Sequence, residues 1–119
     1  MRCYIVLLTL SVLACTYAQD RYSDRYDNID ILSLLGNEQQ RNEYYNCLMG
    51  MGPCVTEAQN YFKGIFPEMI TTNCRKCTPR QNVYLLMVQN WYQRNQPERW
   101  TALVNRMNSI QQQSQPSGT

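Results

Sequence analysis

The amino-acid sequence predicts an all-α fold of consecutive helices, on two observations. Asn37-Glu38-Gln39-Gln40, Thr56-Glu57-Ala58-Gln59 and Thr78-Pro79-Arg80-Gln81 each place a capping side chain three residues before a Gln, the signature of a helix start. Apolar residues then recur every three or four positions, the spacing that lines one face of a helix.

Taken in order, Ile29, Leu32 and Leu35 mark a short first helix. The second starts at Asn37 and has an apolar C-terminal half of Tyr44, Tyr45, Leu48 and Met49. A third follows Thr56, with Ala58, Phe62, Phe66 and Met69 on one face. Pro67 interrupts it, so the stretch from Pro67 to Cys74 reads as a separate helix or a kinked continuation. Thr78-Pro79 is the strongest start, because proline at the first helical position loses no hydrogen bond and its backbone angle is already set.

From Val83 to Tyr92 there are two stripes: Val83, Leu86, Met87 and Trp91 on one side, Tyr84, Leu85, Val88 and Tyr92 on the other. A helix apolar around most of its circumference belongs in the middle of a bundle. The last helix opens at Pro97 and carries Trp100, Leu103, Val104 and Met107 at i, i+3, i+4 and i+7. Residues 111–119 are polar and glutamine-rich and read as a mobile tail.

The chain begins with an address. Met1-Arg2 gives a positive start, Tyr4 to Ala14 an apolar run, and Thr16-Tyr17-Ala18 places small residues where a signal peptidase cuts. Residues 1–18 therefore read as a secretory signal and 19–110 as the helical domain. The apolar run is shorter than the roughly 20 residues that cross a bilayer, so no stable membrane insertion is expected. Cleavage after Ala14 would leave Cys15 as a fifth cysteine, and the later cut avoids an odd thiol in an oxidising compartment.

Composition removes several functions. A formal charge of +2 is too small a field to hold a nucleic acid. Histidine is absent, which excludes Ser-His-Asp and Cys-His catalysis. The carboxylates Asp27, Asp30 and Glu43 sit among helix starts, where capping and dipole complementation account for them. The protein therefore reads as a non-enzyme that needs no cofactor or metal.

Cys47, Cys54, Cys74 and Cys77 follow the frame C-x6-C-x19-C-x2-C, which allows three pairings. Local pairing is favoured. Gly50, Gly52 and Pro53 let the chain double back between the first two, and a single helical turn would bring the last two within bridging range. A four-thiolate zinc site needs reduced sulfur, which the secretory address argues against. A thioredoxin-like redox site needs a preceding strand, and no strand pattern is present.

At this point the residues resemble a family, the insect chemosensory or OS-D-like proteins. The resemblance rests on Tyr26-Asp27-Asn28-Ile29-Asp30, the cysteine frame, Asn73-Cys74 before Lys76-Cys77-Thr78, and Pro97-Glu98-Arg99-Trp100. It implies about six helices around a hydrophobic channel, with the first cysteine bridged to the second and the third to the fourth. It also implies a secreted soluble carrier of fatty acids, pheromones or odorants in sensory lymph or haemolymph, and places Tyr44 and Trp100 in the channel wall. The sequence departs from the family in its 11 Asn and 12 Gln and in its glutamine-rich end.

Together these readings make Tyr44, Leu48, Phe62, Phe66, Ile70, Val83, Leu86, Met87, Trp91, Trp100 and Leu103 the candidate ligand-binding residues. The expected partner of this monomer is a small hydrophobic ligand. Of the cations, Arg41, Lys63, Arg80 and Arg99 are candidates to meet a carboxylate head group, although a solvated surface charge is the ordinary fate of each. The second reading is a secreted developmental or gland-secretion factor that acts through a protein partner.

Overall fold

The computed structural model describes residues 20–114. Among these, five helices form: α1 (Ile31–Gly36), α2 (Glu38–Met49), α3 (Glu57–Thr71), α4 (Pro79–Asn95) and α5 (Pro97–Ser114), and no strand. Residues 1–18, read as a signal, lie outside the described residues.

The three capping signatures are the three helix starts. Asn37, Thr56 and Thr78 each accept a hydrogen bond from the backbone N–H three residues on. Asn37 serves two helices, since its own N–H closes α1 on the Leu34 carbonyl while its side chain opens α2. Thr78 and Gln81 complete a reciprocal capping box, the Gln81 side chain returning to the Thr78 N–H at 3.0 Å. A single residue, Gln96, separates α4 from α5.

Pro67 does not divide the third helix, which continues through it, and the five helices of the described residues agree roughly with the six expected. Proline removes one donor and crowds the preceding turn, a cost of about 3 kcal/mol or more. Against that, Phe62, Phe66 and Met69, all buried, hold both halves of α3 to one core, with α3 against α5 the most extensive helix contact. At the other end of the chain α5 reaches Ser114, and residues 115–119 of the expected mobile tail lie outside the described residues.

The disulfides pair locally, Cys47 with Cys54 and Cys74 with Cys77. The first closes the turn after α2, where Gly50 takes the left-handed conformation at φ 74° that favours glycine. The second does not span a helical turn as expected. Asn73 (φ 56°) and Cys74 (φ 63°) are both left-handed, and the Cys74 N–H turns back to the Met69 carbonyl at 2.8 Å, so the chain has already left α3. Asparagine tolerates that region better than most residues.

The buried core draws on all five helices: Ile31 and Leu35 from α1, Tyr45 and Leu48 from α2, Phe66 and Met69 from α3, Tyr84, Leu85 and Tyr92 from α4, and Trp100, Leu103 and Met107 from α5. Ahead of α1, the arm from residue 20 lies across α3 and α4. Tyr22 N–H donates to the Lys76 carbonyl at 2.9 Å and its hydroxyl to Glu68 Oε1 at 2.7 Å.

Candidate functional site

The core is not filled throughout. An internal cavity of about 80 Å³, partly open to solvent, lies among all five helices. Its walls are Ile31, Leu34 and Leu35 of α1, Tyr44, Tyr45 and Leu48 of α2, Phe62, Phe66 and Met69 of α3, Tyr84, Leu85, Val88 and Tyr92 of α4, and Leu103 of α5, with Ile29 and Arg41 completing it. No polar atom faces the space. A void of this kind excludes water, which needs two to four polar partners, and accepts alkyl groups.

Of the sequence-derived candidates, the structure brings Tyr44, Leu48, Phe62, Phe66 and Leu103 together around this cavity. It does not place the other six on the wall. Val83 and Leu86 are more than half exposed, at 52% and 59%. The reading that α4, apolar around most of its circumference, sits in the middle of the bundle is therefore corrected. One stripe, Tyr84, Leu85, Val88 and Tyr92, faces inward, and the other faces solvent or packs only at its edges. Gln81 sets that choice: it is fully buried, and three, four, seven and eleven residues on from it come those four inward side chains. Met87 and Trp91 are half-buried on the flanks of α4, and Ile70 is half-buried near the end of α3.

Trp100 is buried but stands behind the wall. Its ring stacks on Tyr92, centroids 6.4 Å apart with planes at 24°, and Tyr92 is the residue that meets the cavity. Tyr92 also packs against Tyr45 at 5.8 Å and edge-on to Trp91 at 5.0 Å. Burial pushes the Tyr92 hydroxyl above the ordinary tyrosine range, with the cations Arg41 and Arg99 pulling the other way. Tyr44 is raised by burial alone, and Tyr45 by burial against the charge of Arg99.

Sequence reasoning missed the contribution of the arm and α1. Ile29, Ile31, Leu34 and Leu35 form one side of the cavity, while Leu32 points outward at 71% exposure. This side is tied down by a polar clasp. Asp27 accepts from the Thr78 hydroxyl at 2.7 Å and from the Gln81 amide at 2.9 Å, and its backbone carbonyl accepts from the Tyr84 hydroxyl. Of the other carboxylates that might have served chemistry, Asp30 caps α1 and Glu43 accepts from Gln59 at 3.5 Å. Among the described residues no group of His, Cys, Asp or Glu is placed to hold a metal, and no helix is long and apolar enough to cross a membrane.

Fold and site thus define a small helical domain, pinned by two local disulfides, with a carbon-walled cavity at its centre. Residues 22–115 match the insect pheromone-binding family A10/OS-D, and the chain belongs to that family. It is 31% identical over 99 residues to ejaculatory bulb-specific protein 3 of Drosophila melanogaster, covering 83% of this chain and 78% of the relative. To the putative odorant-binding protein A10 of the same organism it is 35% identical over 85 residues, 71% of this chain and 54% of that one. Among solved structures it is similar to a chemosensory protein in complex with bromo-dodecanol, with a TM-score of 0.70 and 29% identity over 76% of this chain and 89% of the other.

Proposed function

We propose that this chain is a secreted, non-catalytic carrier that holds the alkyl chain of a small hydrophobic ligand, a fatty acid, pheromone or odorant, in the cavity between its five helices. The observation that carries the reading is a void in the middle of the core with no polar atom on its wall. A packed core of this size leaves few voids larger than a water. The bromo-dodecanol held by the similar chemosensory protein supports an alkyl guest.

Magnitudes are compatible with a shuttle. Burying about 14 methylenes at roughly 0.8 kcal/mol each gives on the order of 11 kcal/mol before costs. Ordering the chain and losing its free motion remove several kcal/mol, which leaves an affinity near the micromolar range, about 8 kcal/mol. At about 80 Å³ the cavity takes part of such a chain as it stands. The rest is accommodated where the wall can yield, at the half-buried Leu34, Tyr44 and Val88.

Native mass spectrometry of the protein purified from its source tests the proposal. A mass beginning at Gln19, two disulfides and a retained lipid-sized adduct agree with it. A chain that keeps residues 1–18 contradicts the secretory part. A ligand-free protein that also fails to displace a fluorescent apolar probe contradicts the carrier part, and a protein recovered by crosslinking would then favour the partner-mediated reading.

A further inference from the structure

We propose that Arg41 is the head-group site of this cavity and that it selects an alkyl ligand ending in an anion, of which a long-chain carboxylate is the simplest. The inference rests on the carrier reading above. Arg41 is the one charged residue among those lining the cavity; it is half-buried and meets the space through the carbons of its side chain. Its guanidinium is held from two sides: Nη1 donates to the Leu35 carbonyl at 2.6 Å, and Cζ lies 4.2 Å from the centre of the Trp91 ring.

What Arg41 lacks is an acid. Among the described residues the ion pairs join Arg25 to Glu57 and Lys76 to Glu68, and Arg41 has none. Its Nε is buried without an acceptor. An unpaired donor in that condition is costly, and a turn of the guanidinium toward the cavity would let an anionic oxygen of a guest supply both the missing charge and the missing acceptor. Guanidinium is suited to carboxylate because its donors form a planar fork.

The other cations that sequence reasoning offered do not compete. Lys63, Arg80 and Arg99 are exposed, and Arg99 already donates to Asn42 Oδ1 at 3.0 Å and covers the Tyr45 ring at 4.9 Å. A ligand with its tail among Leu48, Phe66 and Leu103 and its head at Arg41 uses the apolar and the charged part of the site together. An alcohol or an ester of equal length uses the first part only.

Tetradecanoate, tetradecanol and methyl tetradecanoate, each titrated at submicellar concentration into the full mature protein, provide the test. The acid is expected to bind at least tenfold tighter than the ester, and rising salt is expected to weaken the acid alone. Arg41→Met keeps an apolar stem of similar reach and is expected to cost the acid about tenfold while the alcohol and ester stay within threefold. Should that variant fail to fold, the head-group preference and its salt dependence in the unaltered protein still decide. Equal affinities for the three ligands, or an equal loss of all three in Arg41→Met, would overturn the role of Arg41 and leave the carrier reading standing. No binding of any of the three to the unaltered protein overturns both.

Discussion

The amide nitrogen of Gln81 donates to Asp27 Oδ1 at 2.9 Å, from a side chain wholly buried at the first turn of α4. The same nitrogen donates to the Ser23 carbonyl at 2.8 Å, and Gln81 Oε1 accepts from the Thr78 N–H. One glutamine therefore caps a helix, aligns its inward stripe and fastens the arm that brings Ile29 to the cavity.

Removing that link should be expensive. Gln81→Ala leaves Asp27 and the Ser23 carbonyl short of a donor and is expected to cost about 2–4 kcal/mol in urea unfolding. Gln81→Glu sets a second carboxylate against Asp27, so burial and like charge raise the folded-state pKa of the new group above its unfolded value of about 4.3. The neutral form stabilises the fold below that unfolded value, and the contribution is lost as pH rises through the folded one. Gln81→Glu is accordingly expected to be closest to the unaltered protein in acid and to fall away toward neutrality.

The register of α4 is testable by two neighbours. Leu85 is buried on the cavity wall and Leu86 is exposed. Leu85→Ala is expected to lose about 2–5 kcal/mol of stability, and Leu86→Ala to stay within about 0.5 kcal/mol. Equal losses in thermal or urea unfolding would mean that the second apolar stripe is buried after all.

Trp100 acts through Tyr92. Trp100→Ala is expected to cost about 3–5 kcal/mol and to weaken ligand binding more than tenfold, because Tyr92 loses the ring it stacks on while the helical circular dichroism stays largely intact. Trp100→Phe keeps a ring behind Tyr92 and is expected to hold affinity within about threefold. A loss in the Phe variant as large as in the Ala variant would mean that the indole itself meets the guest.

Tyr22, Tyr44, Tyr45 and Tyr92 all titrate above the ordinary tyrosine value of 10.0, burial being the leading cause in each. In Tyr22 the hydrogen bond to Glu68 adds to it. Because these pKa values are raised on folding, their contribution is intact below the unfolded value of 10.0 and is lost as pH climbs above it. Spectrophotometric titration is expected to show these four phenols ionising only above 10.0, with stability falling as they do. A single transition of all tyrosines near 10.0 in the folded protein would contradict this burial.

Much of the fold was legible because capping is local chemistry. Asn37, Thr56, Thr78 and Pro97 mark their helices within a few residues and need nothing from the rest of the chain. Pro67 misled because its cost is local while the burial of Phe66 and Met69 that outweighs it is tertiary. The site was legible where a helix has one apolar face, as with Phe62, Phe66 and Leu103. It was not legible on α4, where two apolar stripes compete and only the buried Gln81 separates them. Nor was it on α1, where six residues are too few to fix a register and Leu32 rather than Leu34 seemed to face inward. Arg41 carried no distinguishing mark, since half-burial beside a void depends on four other helices.

The central claim, that the void among the five helices is a seat for an alkyl guest, is tested most directly by a crystal structure of the protein with a bromine-tipped long-chain alcohol, located by the anomalous signal of the bromine. Electron density for the alkyl chain bounded by Leu48, Phe66, Leu85 and Leu103, with the bromine or the hydroxyl at its inner end, is the result expected. A bromine found only on the outer surface, beside Val83 and Leu86, with the interior unchanged and empty, would contradict it.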